Sequence, residues 1–190
     1  MKIVVPLRPR DFAAFARAQK VAAGRADALE IWADAIADPA DFLEKFAAAR
    51  KNFPEKFWVV CKTPAERGEF SGGENAKFAV LKKFLAARAD AVDVDFFQNS
   101  AAKIAEIPPE KLILSVHDFE KVPGNLPEIL EKMRANFSPK IFKFAVAPRE
   151  KSELKTFLTF AKKCSAEKIP AIFTTMGPLG ERGREIWPRK

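Results

Sequence analysis

The chain alternates between short apolar runs and longer stretches in which apolar residues recur at helical spacing. Apolar runs with the length and composition of strands lie at residues 2–7, 28–34, 57–63, 91–97, 111–117, 140–146 and 171–176. The helical stretches between them lie at 11–23, 41–51, 75–89, 126–136 and 151–164, with Asp41 and Ser152 as candidate N-caps. The link at 98–110 contains two prolines and is short for a full helix.

Strands that alternate with helices every 25–30 residues or so predict a parallel sheet. We predict an α/β fold, a TIM-type (β/α) barrel that forms a single domain over residues 1–190. A doubly wound sheet is disfavoured because no Gly-x-Gly-x-x-Gly turn follows the first strand and no P-loop is present. After the seventh strand only a helix-like stretch at 181–187 follows, so the barrel is predicted to be incomplete, with about seven strands and no regular eighth strand.

An incomplete barrel leaves the outer edges of its first and seventh strands without a neighbouring strand. Open edges invite pairing with other chains, and native proteins cover them. We therefore predict that a homodimer packs these edges away from solvent, or that the segment 181–190 fills the gap.

The composition excludes several classes of protein. No apolar run approaches the roughly 20 residues of a membrane span, and the N-terminal apolar stretch is too short for a signal peptide. Two cysteines make no disulfide framework, and one histidine without a close cysteine pair argues against a zinc site. We predict a cytoplasmic protein with no membrane contact, no metal and no cofactor.

The formal net charge of +8 arises from lysines and arginines that are spread along the chain. No basic block or basic motif interleaved with aromatic residues occurs, so nucleic-acid binding is not predicted. A basic lining that attracts a small anionic substrate fits the same charge.

Lys143 lies within the run Lys-Ile-Phe-Lys-Phe-Ala-Val-Ala at 140–147, which otherwise predicts a buried strand. Burial removes hydration from an ammonium and so favours the neutral amine, which attacks carbonyl carbons to form a Schiff base. The only histidine, His117, lies near the end of another strand run and suits proton transfer near neutral pH. The pair suggests chemistry on a carbonyl substrate. Alternatively, Lys143 extends its ammonium to the rim of the sheet.

Six ordered motifs resemble the type I 3-dehydroquinate dehydratases, Schiff-base enzymes of the shikimate pathway, and the resemblance runs over nearly the whole chain. They are Ala-Asp-Ala-Leu-Glu-Ile-Trp-Ala-Asp at 26–34, Lys-Thr-Pro-Ala-Glu-Arg-Gly-Glu-Phe-Ser-Gly at 62–72, Val-Asp-Val-Asp at 92–95, Ser-Val-His-Asp-Phe at 115–119, Ile-Phe-Lys-Phe-Ala-Val-Ala-Pro at 141–148 and Thr-Met-Gly-Pro-Leu-Gly-Glu-Arg-Gly-Arg at 175–184.

The resemblance implies elimination of water from 3-dehydroquinate to give 3-dehydroshikimate. It assigns the imine to Lys143, the general acid and base to His117 and the carboxylate that supports the histidine to Glu66. The remaining assignments are to substrate binding: Glu30 holds a hydroxyl, Lys62 stands where the family has an arginine, Arg184 clamps a carboxylate and Met176 lines the pocket.

Three departures from the family pattern leave other functions open. Trp32 replaces the second-strand arginine, Lys62 replaces the third-strand arginine, and the sequence ends before the family's last strand and the loop that supplies a serine and a glutamine. The two alternatives are a Schiff-base lyase or aldolase with another carbonyl substrate, and a degenerate barrel without catalysis.

Overall fold

A computed structural model describes residues 3–180. The strands within this range are β1 (Val4–Leu7), β2 (Ala28–Trp32), β3 (Lys56–Val60), β4 (Ala91–Asp95), β5 (Leu112–Asp118), β6 (Ile141–Val146) and β7 (Ala171–Thr175). The α-helices are α1 (Phe12–Ala22), α2 (Pro39–Ala49), α3 (Glu74–Ala86), α4 (Ala101–Ile104), α5 (Leu126–Asn136) and α6 (Lys151–Ala166). All seven predicted strands are confirmed, with small shifts at their ends.

Internal contacts divide the chain into two compact units. Of the described residues, the N-terminal unit contains 3–94 and Gln98–Ile107, while the C-terminal unit contains Asp95–Phe97 and 108–180. Strands pair in parallel and in chain order, β1-β2-β3-β4 in the N-terminal unit and β5-β6-β7 in the C-terminal unit. The predicted parallel α/β architecture is therefore confirmed, and the single domain over 1–190 stays a prediction.

A phenylalanine cluster fixes which face of the N-terminal strands meets the helices. Phe15 of α1 lies 5.5 Å from Phe42 and 5.8 Å from Phe46 of α2, and 5.6 Å from Phe57 of β3, between ring centroids. All four rings are fully buried. Because side chains alternate along a strand, Trp58 points to the opposite face of β3.

Aromatic packing assigns the faces of the C-terminal strands in the same way. The ring of Phe144 in β6 lies 5.1 Å from Phe160 of α6 and stacks at 5.9 Å on Phe173 of β7. Alternation then directs Lys143 and Ala145 to the face away from α6. The predicted division of this run into two faces is confirmed, and it separates the lysine from the helix layer.

Both predicted N-caps are wrong, for a local reason. Asp38 caps α2, because it precedes Pro39, which favours the first helical position, and its carboxylate accepts the backbone N–H of Asp41 at 3.1 Å. Glu150 stands at the N-cap of α6, and the hydroxyl of Ser152 donates to its carboxylate at 2.5 Å. Each helix therefore begins ahead of its predicted cap, with the observed N-cap three residues earlier at Asp38 and two residues earlier at Glu150.

The structure also bears on the predicted links between elements and on the outer strands. The 98–110 link holds the one-turn α4 and the start of a 3₁₀ turn at Pro109–Lys111, which agrees with the expectation of no full helix. Within residues 3–180, β1 pairs with β2 alone and β7 with β6 alone, and no eighth strand is present. The helix-like stretch predicted at 181–187 lies outside the described residues.

Candidate active site

His117, in β5, is held by the carboxylate of Asp95. The imidazole Nδ1 lies 2.9 Å from Asp95 Oδ2, and the backbone N–H of His117 donates to the same oxygen at 3.1 Å. The two side chains are only 5% and 2% exposed. An ionised carboxylate only accepts hydrogen bonds, so it places the imidazole proton on Nδ1 and leaves Nε2 as the acceptor. Phe119 stacks on the imidazole at 5.9 Å and restricts its rotation.

Lys143, in β6, is buried, with 8% of its surface exposed. The register pairs Ser115 with Lys143 and His117 with Ala145. Paired residues of neighbouring strands share a face, so Lys143 and His117 lie on one face, one diagonal step apart. Such diagonal neighbours are about 7–8 Å apart, within reach of long side chains. The sequence prediction that Lys143 is buried is confirmed.

Ser115 lies beside Lys143 in the strand register and is fully buried. Its backbone carbonyl accepts the N–H of Phe96 at 2.7 Å. Within residues 3–180 its hydroxyl has no hydrogen-bond partner. A buried hydroxyl without a partner is costly, and this one lies on the same strand face as Lys143.

Met176 follows β7 and is partly buried. Its backbone N–H donates to the carbonyl of Val146 at 2.7 Å. The hydroxyl of Thr175 donates to the carbonyl of Gly180 at 2.8 Å, and this fixes the turn after the strand. The predicted pocket-lining role of Met176 stays a prediction. Arg184, the predicted carboxylate clamp, lies outside the described residues.

Glu66 is bound within the N-terminal unit rather than left available in a loop. It ends a 3₁₀ turn at Pro64–Glu66, and its Oε2 accepts the backbone N–H of Thr63 at 3.0 Å and the Thr63 hydroxyl at 2.9 Å. The same oxygen lies 2.7 Å from Lys77 Nζ, and the two side chains are 3% and 2% exposed. The predicted role of Glu66 beside His117 stays a prediction, and its observed partners are Thr63 and Lys77.

The loop after Glu66 has a constrained backbone. Arg67 adopts a left-handed conformation with φ of 62°. A Cβ on Gly68 would lie 2.2 Å from the carbonyl oxygen of Lys62, so only glycine fits at that position. The loop therefore brings its own backbone tightly against Lys62, two residues past the end of β3.

Glu30 and Lys62, two predicted substrate-binding residues, both contact Trp32. The indole Nε1–H of Trp32 donates to Glu30 Oε2 at 3.3 Å, and Lys62 Nζ lies 4.3 Å from the centroid of the ring. The backbone N–H of Lys62 donates to Asp34 at 3.1 Å. Trp32 thus connects a buried carboxylate at its edge with a buried ammonium over its face.

A second cation contacts the same indole. The guanidinium carbon of Arg8, just beyond β1, lies 5.5 Å from the Trp32 centroid. Arg8 also bonds to Glu69, whose other carboxylate oxygen accepts from Arg10 at 2.9 Å. Strands β1, β2 and β3 therefore each contribute, at or just past their carboxyl ends, one residue to this stack.

Cys61 lies next to these charged groups but is not suited to nucleophilic chemistry. Its side chain is fully buried, and this burial raises the pKa of the thiol to about 12, with the nearby carboxylate of Asp34 acting in the same direction. The thiolate is the reactive form of cysteine. At neutral pH Cys61 is therefore a small apolar core residue.

Three residues of the site were not predicted from the sequence: Asp95, Lys77 and Arg8. Asp95 ends the Val-Asp-Val-Asp run, and its place at a strand terminus was an available signal. Lys77 carried a weaker one, since it stands four and seven residues before Leu81 and Phe84, the spacing of one buried face of α3. Arg8 carried none, because an arginine after a strand is common on protein surfaces.

Within residues 3–180, no group of three or more histidine, cysteine, aspartate or glutamate side chains is arranged to hold a metal ion. In the same range no helix combines the length and the apolar character that a membrane crossing requires.

Comparison with known proteins places these features in a family. A profile of the type I 3-dehydroquinase family matches residues 3–185. A 3-dehydroquinate dehydratase from Streptococcus thermophilus is 31% identical over 195 residues, with 97% of this chain and 81% of that protein covered. One from Streptococcus suis is 25% identical, with 97% and 83% covered.

Solved structures give the same result for the fold. The type I 3-dehydroquinate dehydratase from Clostridium difficile superposes with a TM-score of 0.83 at 20% identity, covering 96% of this chain and 78% of that one. The 3-dehydroquinate dehydratase from Geobacillus kaustophilus gives a TM-score of 0.78 at 24% identity, covering 96% and 76%.

The fold and these likenesses define an α/β protein of the TIM-type (β/α) class, with seven strands in the described residues, as predicted. The named relatives are dehydratases, enzymes of the carbon–oxygen lyase class. The chain belongs to the type I 3-dehydroquinase family, and the resemblance recognised in its motifs is confirmed.

Proposed function

We propose that the protein is a 3-dehydroquinate dehydratase that eliminates water from its substrate through a Schiff base on Lys143. The observation that carries the proposal is the buried Lys143 on the same face as His117, whose ring is oriented by Asp95. Membership of the family and the names of the relatives support the substrate.

The proposed reaction starts with the amine of Lys143. Its nitrogen lone pair attacks the ketone carbon, and loss of one water converts the adduct to an iminium ion. The iminium withdraws electrons, which acidifies the C–H on the adjacent carbon. Nε2 of His117 accepts this proton, and the C–H electron pair forms an enamine.

Elimination and release complete the cycle. The enamine electrons expel the β-hydroxyl, which takes the proton from the His117 imidazolium and departs as water. A second water then hydrolyses the iminium, releases the enone product and restores the Lys143 amine. The net change is the loss of one water. Asp95 assists by holding the imidazole proton of His117 on Nδ1. Nε2 is then the nitrogen that accepts the substrate proton and passes it to the leaving hydroxyl.

The N-terminal residues are proposed to bind the substrate. Glu30, buried and bonded to the Trp32 indole, accepts from a substrate hydroxyl, and Lys62 supplies positive charge. Met176 and Arg184 complete the binding set as the family resemblance implies. The family resemblance also assigns Glu66 to the catalytic set, and its carboxylate is fixed in place by Lys77.

Reductive trapping tests the proposal. Incubation with 3-dehydroquinate and borohydride should add the mass of the reduced ligand to a single peptide that contains Lys143. Lys143→Met should abolish both trapping and turnover, whereas Lys140→Met, which changes the exposed lysine at the start of the same run, should retain both. An untrapped Lys143 together with no formation of enone would refute the proposed function.

A second candidate function is a Schiff-base lyase or aldolase with a different carbonyl substrate. The observation that favours it is Trp32, whose ring, with two cations over it, changes the shape and polarity of the binding surface. Trapping with a panel of carbonyl compounds separates the candidates, because this one fails if only dehydroquinate forms the adduct. Turnover that depends on Lys143 would also exclude a degenerate, non-catalytic barrel.

We further propose a homodimer in the cytoplasm. Four of the five residues of β7 are only partly buried, unlike the fully buried β4, which fits an edge that another copy or the segment 181–190 covers. Both cysteines are free, as in a reducing compartment. Light scattering that gives a monomer would contradict the dimer.

A further inference from the structure

The stack of Arg8, Trp32 and Lys62 combines accessible positive charge with a rigid platform. The Trp32 edge is fixed by its hydrogen bond to Glu30 at 3.3 Å, so the ring faces are left for cations. Lys62 Nζ lies 4.3 Å from the ring centroid and is buried, whereas the Arg8 side chain is 50% exposed. Arg8 is therefore the member of the stack that an incoming ligand meets.

The Arg8 guanidinium already binds a carboxylate, that of Glu69. The Glu69 side chain is 44% exposed and is shared with Arg10, whose side chain is 67% exposed. Exposed ion pairs of this kind contribute little to stability and exchange readily. A ligand carboxylate can take the place of Glu69 on Arg8, while Arg10 retains Glu69.

Asp34, an acidic group near this cluster, does not compete for Arg8. The two carboxylate oxygens of Asp34 accept the backbone N–H groups of Lys62 and Glu69, each at 3.1 Å. Asp34 therefore serves the loop backbone, and Glu69 is the exchangeable partner of Arg8.

We propose that Arg8, stacked on Trp32, binds the carboxylate of the substrate and determines the preference of the site for an anionic ligand. Its planar fork matches a carboxylate in two parallel hydrogen bonds, and the indole holds the fork in orientation. The inference rests on the proposed function for the identity of the ligand. Its test is designed so that either can fail alone.

The test measures binding in the Lys143→Met background, where no covalent step occurs. Calorimetric titration compares 3-dehydroquinate with its carboxamide, and cyclohexanecarboxylate with its carboxamide. Arg8→Met should weaken binding of each acid about tenfold or more and that of each amide less than twofold, because a charge-assisted pair is lost only with the acids. The affinity of Arg8→Lys for each acid should be intermediate, because lysine keeps the positive charge but lacks the planar guanidinium.

Two variants serve as comparisons. Arg25→Met removes an exposed arginine between α1 and β2, at the opposite ends of the strands, and should leave every affinity unchanged. Arg184→Met tests the residue that the family resemblance assigns to the carboxylate. Loss of the acid preference in Arg184→Met but not in Arg8→Met or Arg8→Lys overturns the inference.

The two simpler ligands separate the failures. If dehydroquinate neither binds nor turns over while cyclohexanecarboxylate binds in an Arg8-dependent manner, the anion site stands and the proposed function falls. If the protein with Lys143 intact turns over dehydroquinate, and Arg8→Met leaves the ratio of acid affinity to amide affinity unchanged, the anion site falls. If none of the four compounds binds, both fail.

Discussion

The two units of the chain use their buried polar groups differently. In the C-terminal unit, Asp95 orients the ring of His117, and Ser115 and Lys143 lie beside it on one strand face. In the N-terminal unit, Glu66 and Lys77 neutralise each other in a buried ion pair. The first arrangement leaves Nε2 of the His117 imidazole as a hydrogen-bond acceptor, whereas the second fixes a loop. Burial alone therefore does not identify a catalytic residue, because the role of a buried polar group depends on its hydrogen-bond and ion-pair partners.

The largest expected effect is on turnover, in the C-terminal unit. His117→Asn keeps an N–H that can donate to Asp95 but removes the proton acceptor. We expect kcat to fall by roughly 10²- to 10⁴-fold, the usual contribution of general acid–base catalysis, while borohydride still traps an adduct on Lys143. Stopped assays of enone formation measure the first quantity, and peptide mass spectrometry measures the second.

Circular dichroism serves as the control for folding of His117→Asn. A kcat within tenfold of the parent would show that His117 is not the proton acceptor. The Asp95–His117 pair would then stabilise the fold, as Glu66–Lys77 does, and the two units would use their buried polar groups in the same way.

The next effect is on stability, in the N-terminal unit. Lys77→Met leaves the Glu66 carboxylate buried without its counter-charge, so we expect the free energy of unfolding to fall by about 3–5 kcal/mol. The double variant Lys77→Met/Glu66→Gln should recover part of this loss, because the unpaired charge is removed. Denaturant titration measures both.

Lys82→Met is the matched control on the same helix. Its ion pair with Glu106 has side chains 47% and 34% exposed, so its loss should cost less than about 1 kcal/mol. Equal costs for Lys77→Met and Lys82→Met would mean that the buried pair does not fix the N-terminal unit.

Local patterns in the sequence predict some features of both units and miss others. The strands and the two faces of β6 were predictable, because they follow from local alternation of apolar residues. The burial of Lys143 and the position of His117 near the end of a strand were predictable, because each is an unusual residue in an apolar run. The partners of His117 and Glu66 come from other elements, and no spacing along the chain encodes them. Cap assignment failed at Asp41 because a competing carboxylate, Asp38, stands three residues earlier.

A smaller effect tests whether the hydroxyl of Ser115 assists Lys143. Ser115→Ala removes a buried hydroxyl that lacks a partner in the described residues, so the free energy of unfolding should stay within about 1 kcal/mol or rise. If the hydroxyl assists Lys143, imine trapping should slow by roughly two- to tenfold, the worth of one hydrogen bond. Ser152→Ala, at an exposed position in α6, is the control. Unchanged trapping in Ser115→Ala would restrict this serine to packing.

The smallest effect compares the two units through their cysteines, Cys61 in the N-terminal unit and Cys164 in the C-terminal unit. Burial raises the pKa of Cys61 to about 12 and also raises the pKa of Cys164. The native thiols therefore stay protonated at pH 8, and alkylation has to wait for local opening, which exposes a thiol of ordinary pKa.

Alkylation rates, read by mass spectrometry, thus report the opening of each unit. We expect Cys164 to react first, because it lies in the last turns of a helix, whereas Cys61 directly follows the buried strand β3 beside the Glu66–Lys77 pair. Lys77→Met should accelerate the alkylation of Cys61 and leave that of Cys164 unchanged, since the lost ion pair belongs to the N-terminal unit alone. Equal acceleration of both thiols would mean that the two units open together, so that they would differ in the partners of their buried polar groups but not in stability.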